Sequence, residues 1–390
     1  MAEPAEHWEA WLGTRARVRE RRGLQRNDSL KCRVFDLASN DYLGLSAHRQ
    51  VRQAAADAAL EHGAGAGASR VAGGTSAVHR ELEAGLCDYA HRQAALVFSS
   101  GYTANLGALS ALGGPGSLFI LDAHAHASLI DGAKLSASAV ATAAHNDLAD
   151  VTRLLQTNRE DPQGKPRVLV VVESVYSVFG DASALPELAA LCAQYGALLL
   201  VDEAHSLAAT PQGSAVHAAG LAGASHVLST ATLSKALGSQ GGAVLLGGPG
   251  AQALREHLVN ASRTFIFDTG LSPVAAVAAL AALRLATPER LAALQSNALL
   301  VFEQLRSYSH LADRVDAGAG AVHSVRMSSS AAAFRATAKL AAAGIAVACF
   351  RPPSVPDSIS RLRLTAHAQH QGPELEIAIH TVARTIAEED

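Results

Sequence analysis

Short apolar runs, each ending in polar residues, recur along most of this sequence. The clearest runs lie at residues 94–98, 118–121, 168–172, 197–201, 227–228 and 243–246. Runs without polar alternation are typical of strands that are buried on both faces, and such strands form mostly parallel sheets covered by helices. The pattern therefore predicts an α/β fold in which ligands bind beyond the carboxyl ends of the strands.

The N-terminal part of the sequence follows a different pattern. Residues 7–22 are predicted to form a helix with a strongly basic side, and residues 31–38 alternate polar and apolar side chains as a strand does. Two interpretations of the basic side remain open: a solvated face, or a contact with an anionic substrate near an active-site mouth. The arginines concerned are Arg15, Arg17, Arg19, Arg21 and Arg22.

The pattern changes again in the C-terminal part. Residues 280–305 predict one long helix, and strands at 322–327, 345–350 and 361–365 and helices at 330–343 and 373–388 follow. We expect a smaller α/β domain, with a mixed or antiparallel sheet, packed on the first. The predicted division is an N-terminal segment at 1–48, a large domain at 49–280 and a small domain at 281–390.

Composition narrows the class of protein. The chain has 390 residues, of which 49% are hydrophobic, and a net charge of -3, which is typical of a globular protein without a nucleic-acid footprint. No apolar run is long enough to span a bilayer, and the acidic start is unlike a secretory signal. The four cysteines lie far apart, at Cys32, Cys87, Cys192 and Cys349, and form no pair with the spacing of a zinc site. We therefore expect reduced thiols, no metal and a cytoplasmic protein.

A glycine-rich stretch at residues 63–70 superficially matches a dinucleotide-binding loop. A Rossmann fingerprint requires a strand directly before the glycines and an acidic residue about 20 positions later. Here a predicted helix at residues 51–61 comes first. We therefore interpret the glycines as a closely packed loop.

The turn at residues 99–103 is a candidate phosphate site. It contains Gly101 and Tyr102 and lies between a predicted strand and a predicted helix at 104–112. Unpaired N–H groups and the helix dipole at such a helix N-terminus favour a bound anion. Because many α/β turns look the same, this signal alone is only moderately specific.

Two later positions point to a specific cofactor. Asp202 ends an apolar run, and Lys235 follows among hydroxyl residues that include Thr232 and Ser234. Pyridoxal 5′-phosphate (PLP) enzymes need a lysine that forms an imine with the cofactor and a carboxylate that keeps its pyridine nitrogen protonated. Each residue alone has a plain structural explanation, Asp202 as a cap or ion-pair partner and Lys235 as a surface residue, but together they favour PLP.

Two histidines after strand ends could complete such a site. His205 could reach the phenolic oxygen of PLP, and His126 could stack on its ring and hydrogen-bond a substrate carboxylate. His124 is the nearest alternative to His126. The chain has 17 histidines, so most of them must be structural or exposed.

The motifs together resemble the α-oxoamine synthase family over roughly residues 35–370. In chain order they are NDYLGL at 40–45, SR at 69–70, GT at 74–75, His79, SSGY at 99–102, HASL at 126–129, ESVYS at 173–177, GD at 180–181, VDEAH at 201–205, TLSK at 232–235 and RLR at 361–363. The resemblance implies the α/β fold of type I PLP-dependent aminotransferases. It further implies a mostly parallel seven-stranded sheet, a smaller C-terminal α/β domain, and a homodimer with active sites at the subunit interface.

The resemblance also implies a role for individual positions. Lys235 would be the Schiff-base and proton-transfer lysine, with Asp202, His205 and His126 completing the catalytic set. The cofactor would be bound by Gly101, Tyr102, His126, Ser177, Asp202, His205, Thr232, Ser234, Lys235 and the partner's Thr269. The substrates would be bound by Arg26, His126, Ser354 and Arg363.

Within the family, FRPPSVP at 350–356 is typical of a member that condenses L-alanine with pimeloyl-CoA or a pimeloyl carrier protein. Two alternatives stay open, a sister enzyme such as a glycine C-acetyltransferase and a non-catalytic partner subunit of the same fold. The sequence departs from the family in the loop at 206–214, and at Val178 and Phe179, where a methionine–aspartate pair is usual.

Overall fold

The computed structural model describes residues 4–21, 34–316, 318–352, 354–355 and 357–390. The helices are α1 (Pro4–Arg21), α2 (Arg49–His62), α3 (Ala77–Ala90), α4 (Gly101–Leu112), α5 (Ala127–Leu135), α6 (Leu148–Glu160), α7 (Leu185–Tyr195), α8 (Ala215–Ala218), α9 (Ala251–Ala261), α10 (Arg263–Ile266), α11 (Pro273–Leu285), α12 (Pro288–Ser307), α13 (Ser330–Ala342) and α14 (Gly372–Glu389). The strands are β1 (Phe35–Leu37), β2 (Ala94–Phe98), β3 (Ser117–Asp122), β4 (Ala139–Ala143), β5 (Arg167–Glu173), β6 (Leu198–Asp202), β7 (Val227–Thr232), β8 (Gly242–Leu246), β9 (Val322–Arg326), β10 (Ile345–Phe350) and β11 (Arg361–Thr365).

The large sheet has seven strands in the order β2-β8-β7-β6-β5-β3-β4. Strands β3 to β7 run parallel, and β8 runs antiparallel to both β2 and β7. All six apolar runs contribute a strand to it, which confirms the predicted sheet. The sequence pattern missed β4, because this edge strand exposes most of its side chains and has no continuous apolar run.

Helices cover both faces of the large sheet, which explains the absence of polar alternation in its strands. In β6, Leu200 packs in a core cluster with Leu109 of α4, whereas Leu199 packs on the other face with Leu188 of α7. Each fully buried aliphatic side chain of this kind stabilises the fold by roughly 1.5–3 kcal/mol relative to an exposed one.

The small sheet has the order β1-β10-β11-β9. Strand β1 pairs parallel with β10, and the other two pairings are antiparallel, so of the two predicted alternatives, a mixed or an antiparallel sheet, the structure has the mixed one. The N-terminal strand thus joins C-terminal strands rather than the large sheet. The division of the chain into domains stays a prediction.

The single helix predicted at residues 280–305 is wrong. Helix α11 ends at Leu285 and α12 begins at Pro288, with Thr287 as its N-cap. Proline has no N–H to donate and its ring clashes with the preceding turn, so it favours the first turn of a new helix. The apolar pattern continues through both helices and hides the break.

The predicted basic N-terminal helix is present as α1, and Arg15, Arg17 and Arg19 are exposed. Arg22 and the start of the predicted strand at 31–38 lie outside the described residues. Cys87, Cys192 and Cys349 are free thiols, as expected. Along the described part of the chain, no helix is both long and apolar enough to cross a membrane.

Candidate active site

A solvent-open cleft of about 490 Å³ lies where the carboxyl ends of β5, β6 and β7 meet. Parallel strands bring their C-terminal residues to one edge of a sheet, and ligands of open α/β sheets bind there. The cleft brings together seven of the residues predicted from the sequence. It is lined by Gly101, Tyr102, Asn105, His126, Ser128, Glu173, Asp202, Ala204, His205, Thr232 and Lys235.

Lys235 lies in the cleft, and its amine begins a chain of hydrogen bonds that passes through His205 to Tyr42. Its Nζ is 2.7 Å from Nε2 of His205, whose Nδ1 is 2.6 Å from the hydroxyl of Tyr42. Loss of water around the lysine lowers its pKa to about 8, although the carboxyls of Asp202 and Glu173 act in the opposite direction. The neutral amine, which is the nucleophilic form, is therefore accessible near neutral pH.

Asp202 is buried and has a hydrogen-bond donor on each oxygen. Asn105 donates from Nδ2 to Oδ2 at 2.7 Å, and the backbone N–H of Ala204 donates to Oδ1 at 2.9 Å. The same amide of Asn105 lies 2.8 Å from the hydroxyl of Ser128, which is 2.8 Å from Nδ1 of His126. The two donors fix the orientation of the Asp202 carboxyl, and the network extends from it to His126.

Glu173 is a second buried carboxyl in the cleft, and the sequence analysis did not assign it a role. Its Oε2 accepts the backbone N–H of Ser177 at 3.2 Å. Burial, and then the negative charge of Asp202, raise the pKa of Glu173 well above its usual value. The raised pKa favours the protonated form of the Glu173 side chain. The signal that could have revealed it is the one that revealed Asp202, a carboxyl at the end of an apolar strand.

The N-terminus of α4 forms one end of the cleft. Ser100 caps the helix, because its hydroxyl accepts the N–H of Thr103 and its carbonyl accepts that of Ala104. The N–H groups of Gly101 and Tyr102 belong to the first turn, where no earlier helical carbonyl can pair with them. A Cβ on Gly101 would lie 2.9 Å from Cβ of Thr232, so glycine permits this close approach. The two amides and the hydroxyl of Thr232 therefore lie side by side, as in a site that binds an anion.

Arg363 of β11 is a buried cation beside the cleft. It donates to the carbonyl of Ser177 at 2.8 Å and to Oδ1 of Asn40 at 3.0 Å. Among the described residues, no carboxylate forms an ion pair with it, and its Nε has no hydrogen-bond partner. Burial lowers its pKa, and its charge in turn lowers the pKa of Lys235 and His205. A buried, uncompensated guanidinium is a site for an anion.

Several predicted site residues do not line the cleft. Ser234 contacts Thr232 through their hydroxyls at 2.8 Å, and Ser177 contributes backbone groups to Glu173 and Arg363. Thr269 is exposed and pairs with Ser69 in an isolated bridge. Ser354 is exposed, and its N–H donates to the carbonyl of Arg351 at 2.9 Å. Arg26 lies outside the described residues.

The chain matches the family described as aminotransferase class I and II over residues 33–382. The chain belongs to this family. Two similar curated proteins are the 8-amino-7-oxononanoate synthases of Mycolicibacterium smegmatis and Mycobacterium marinum. The first is 44% identical over 385 residues, with 97% of each chain covered, and the second is 45% identical over 375 residues, with 95% of this chain and 92% of the relative covered. The family recognised from the sequence motifs is thereby confirmed.

Solved structures agree with this membership. A serine palmitoyltransferase from S. paucimobilis, solved with a bound PLP–myriocin aldimine, has a TM-score of 0.87 at 27% identity and covers 100% of this chain and 99% of its own. An 8-amino-7-oxononanoate synthase from Francisella tularensis has a TM-score of 0.72 at 24% identity, covering 91% and 98%, and shows the fold alone. The predicted aminotransferase-like fold class is confirmed.

Proposed function

We propose that this chain is a PLP-dependent acyltransferase of biotin biosynthesis, an 8-amino-7-oxononanoate synthase. It condenses L-alanine with a pimeloyl thioester of CoA or of a carrier protein and releases 8-amino-7-oxononanoate, carbon dioxide and the free thiol. The observation that carries the proposal is the shared cleft of Lys235, Asp202 and the N-terminus of α4. The names of the relatives that match nearly the whole chain support the choice of substrates.

Three groups of residues in the cleft match three parts of PLP: its aldehyde, its pyridine nitrogen and its phosphate. Lys235 supplies an amine of depressed pKa for the aldehyde, Asp202 a carboxylate for the pyridine nitrogen, and the first turn of α4 two amides for the phosphate. Around these, the ring would be held by His126, its phenolic oxygen by His205 and Ser177, and its phosphate by Gly101, Tyr102, Thr232, Ser234 and the partner's Thr269.

When bound, PLP supplies an electron sink for negative charge at the α-carbon of the amino acid. Lys235 then acts as the group that removes and returns the proton at this carbon. Its pKa of about 8 lets it do both near neutral pH, since a base works best when its pKa lies close to the working pH. His205, which remains neutral because burial lowers its pKa well below the usual value, accepts a hydrogen bond from the ammonium form.

Arg363 would bind the carboxylate of alanine. Its guanidinium is buried and its contacts with Ser177 and Asn40 are to uncharged oxygens, so a substrate carboxylate would supply the missing counter-charge. His126, exposed along the cleft, would hold the same carboxylate from the other side. Ser354 and Arg26 would also contact substrate.

We further propose a homodimer in which the partner completes the site. The proposal rests on the family resemblance, and it is compatible with the positions of Thr269, which is exposed, and of Phe267, whose side chain is 70% exposed. Analytical ultracentrifugation should give twice the mass of one chain.

The absorbance of the purified protein tests the cofactor assignment. With PLP, the wild type should absorb near 420 nm, roughly the imine band expected from this chemistry, and Lys235→Ala should lose both the band and turnover. Lys134→Ala is the matched control, because the Lys134 side chain is 72% exposed on α5. A wild-type protein without the band would favour a non-catalytic subunit, and an active Lys235→Ala variant would refute the role of the lysine.

A further inference from the structure

Four side chains form a stack between the small sheet and the loops that follow β3, β4 and β5. The guanidinium carbon of Arg361 lies 4.2 Å from the ring centre of Phe179. Phe179 stacks on His124 at 4.7 Å, and His124 stacks on His145 at 3.6 Å, with interplanar angles of 25° and 23°. We call these four side chains the aromatic column, and the proposed function uses none of them.

Both ends of the aromatic column are cations held by carboxylates. Arg361 donates to Asp316 at 2.6 Å and to Asp357 at 2.7 Å. The two ring nitrogens of His145 lie 2.8 Å from Asp122 and 2.9 Å from Asp181. Because each nitrogen faces a carboxylate oxygen, both carry hydrogen and the ring is an imidazolium. The neutral rings of Phe179 and His124 therefore lie between two fixed positive charges, an arrangement that cation–π attraction stabilises.

The stacking also decides against a metal centre at the same place. Ligand atoms of Asp122, His124 and His145 lie within 4.8 Å of one another. The lone pairs of an imidazole lie in its ring plane, and two nearly parallel rings 3.6 Å apart direct them along separate planes. They cannot converge on one ion with the geometry that transition metals require.

The aromatic column lies next to the contact that holds Arg363. Arg361 and Arg363 are two residues apart on β11 and point to the same face of the sheet. Arg363 bonds the carbonyl of Ser177, and Arg361 covers Phe179, two residues further along the same loop. The column thus fixes this loop against β11 at the position where Arg363 is oriented.

We propose that Phe179 and His124 are positioning residues for the carboxylate of the amino-acid substrate, acting through Ser177 and Arg363. The proposal rests on the proposed function, in which Arg363 binds that carboxylate. Backbone hydrogen bonds that are independent of the column keep the loop attached without it. One of them runs from the N–H of Ala319 to the carbonyl of Gly180 and is 2.7 Å long. Variants of the column should therefore fold and bind PLP.

The test is the affinity of the PLP-loaded enzyme for alanine, glycine and serine, read from the change in cofactor absorbance. Phe179→Ala and His124→Ala should weaken the binding of all three about tenfold, which corresponds to about 1.4 kcal/mol, because the carbonyl of Ser177 then orients Arg363 less firmly. The three losses should be equal because the carboxylate is common to all. Phe179→Tyr and His124→Phe keep an aromatic layer and should bind like the wild type. In turnover, KM for the amino acid should rise while KM for the thioester stays unchanged.

Phe302→Ala is the matched control, because Arg306 covers Phe302 at 5.4 Å on α12, outside the cleft. It should lower the Tm without weakening amino-acid binding. Unchanged affinity in Phe179→Ala, or failure of Phe179→Tyr and His124→Phe to restore it, would overturn the proposal. Wild-type binding of amino acids without turnover of alanine and pimeloyl-CoA would instead overturn the proposed function alone, and no binding of any amino acid would overturn both.

Discussion

At the scale of single residues, two neighbouring carboxyls in the cleft differ in the hydrogen-bond donors around them. Asp202 has a donor on each oxygen, whereas Glu173 is shielded from water and faces the charge of Asp202, so that its pKa is raised well above the usual value. The raised pKa favours the protonated form of Glu173, which makes it the weaker partner for a pyridine nitrogen. Asp202, with its two donors, is the carboxyl that we assign to the pyridine nitrogen.

Matched amide substitutions should separate the two carboxyls. Asp202→Asn should lower kcat about 100-fold or more, the size of losing one buried charge contact in an active site. Glu173→Gln replaces a carboxyl whose raised pKa favours the protonated form with an amide of nearly the same shape, so kcat should stay within about threefold and the Tm should hardly change. Steady-state kinetics and thermal melts of both variants measure this. Equal losses of kcat would contradict the assignment of Asp202, rather than Glu173, to the pyridine nitrogen.

The sequence could indicate Lys235, Asp202, His205 and His126, because each follows a strand end or belongs to a motif. Tyr42 and Asn105 escaped assignment, since their partners lie 163 and 97 residues away in the chain. Tertiary structure alone brings them together. The signal for Asn105 is its amide within a helix of mostly small and apolar residues, GYTANLGALSAL.

At the scale of elements, uninterrupted apolar strands were predictable and helix boundaries were less so. The continuous runs identified β2, β3, β5, β6, β7 and β8 because burial on both faces leaves no other pattern. The break between α11 and α12 depends on one capping residue and one proline. A periodic apolar pattern that extends over 20 or more residues does not reveal a helix break that only two positions determine.

Removing the cap of α12 should destabilise the protein without affecting catalysis. The side chain of Thr287 accepts the N–H of Arg290, and Thr287→Ala should lower the free energy of unfolding by about 1 kcal/mol. Thr287→Ser keeps the oxygen and should behave like the wild type. Denaturant melts of the three proteins give the comparison, and equal stability of the alanine and serine variants would refute the capping role.

At the scale of the whole molecule, the site depends on contacts between the two sheets. Arg363 comes from the small sheet, while Lys235, Asp202 and Glu173 come from the large one or the loops after it. The sequence indicated both sheets but not the aromatic column that lies between them, since its four members come from β11 and three separate loops. His145 anchors one end of that column as a cation.

Stability should therefore depend on pH through His145. Burial lowers its pKa, but hydrogen bonds to Asp122 and Asp181 outweigh burial and raise it from 6.5 to about 9. Protonated His145 therefore stabilises the fold fully below pH 6.5, and this stabilisation is lost as the pH rises through 9. The free energy of unfolding of the wild type should be higher than that of His145→Gln by about 3 kcal/mol at pH 6, and the difference should be far smaller at pH 10. A difference that grows with pH would have the wrong sign.

Turnover of defined substrate pairs tests the central claim most directly. The PLP-loaded protein is incubated with L-alanine and pimeloyl-CoA, and in parallel with glycine and acetyl-CoA, and the aminoketone product is detected by mass spectrometry. We predict 8-amino-7-oxononanoate from the first pair, no corresponding product from the second, and neither product with Lys235→Ala. Product from the second pair alone would identify a sister acyltransferase, and no product from either pair would contradict a catalytic role.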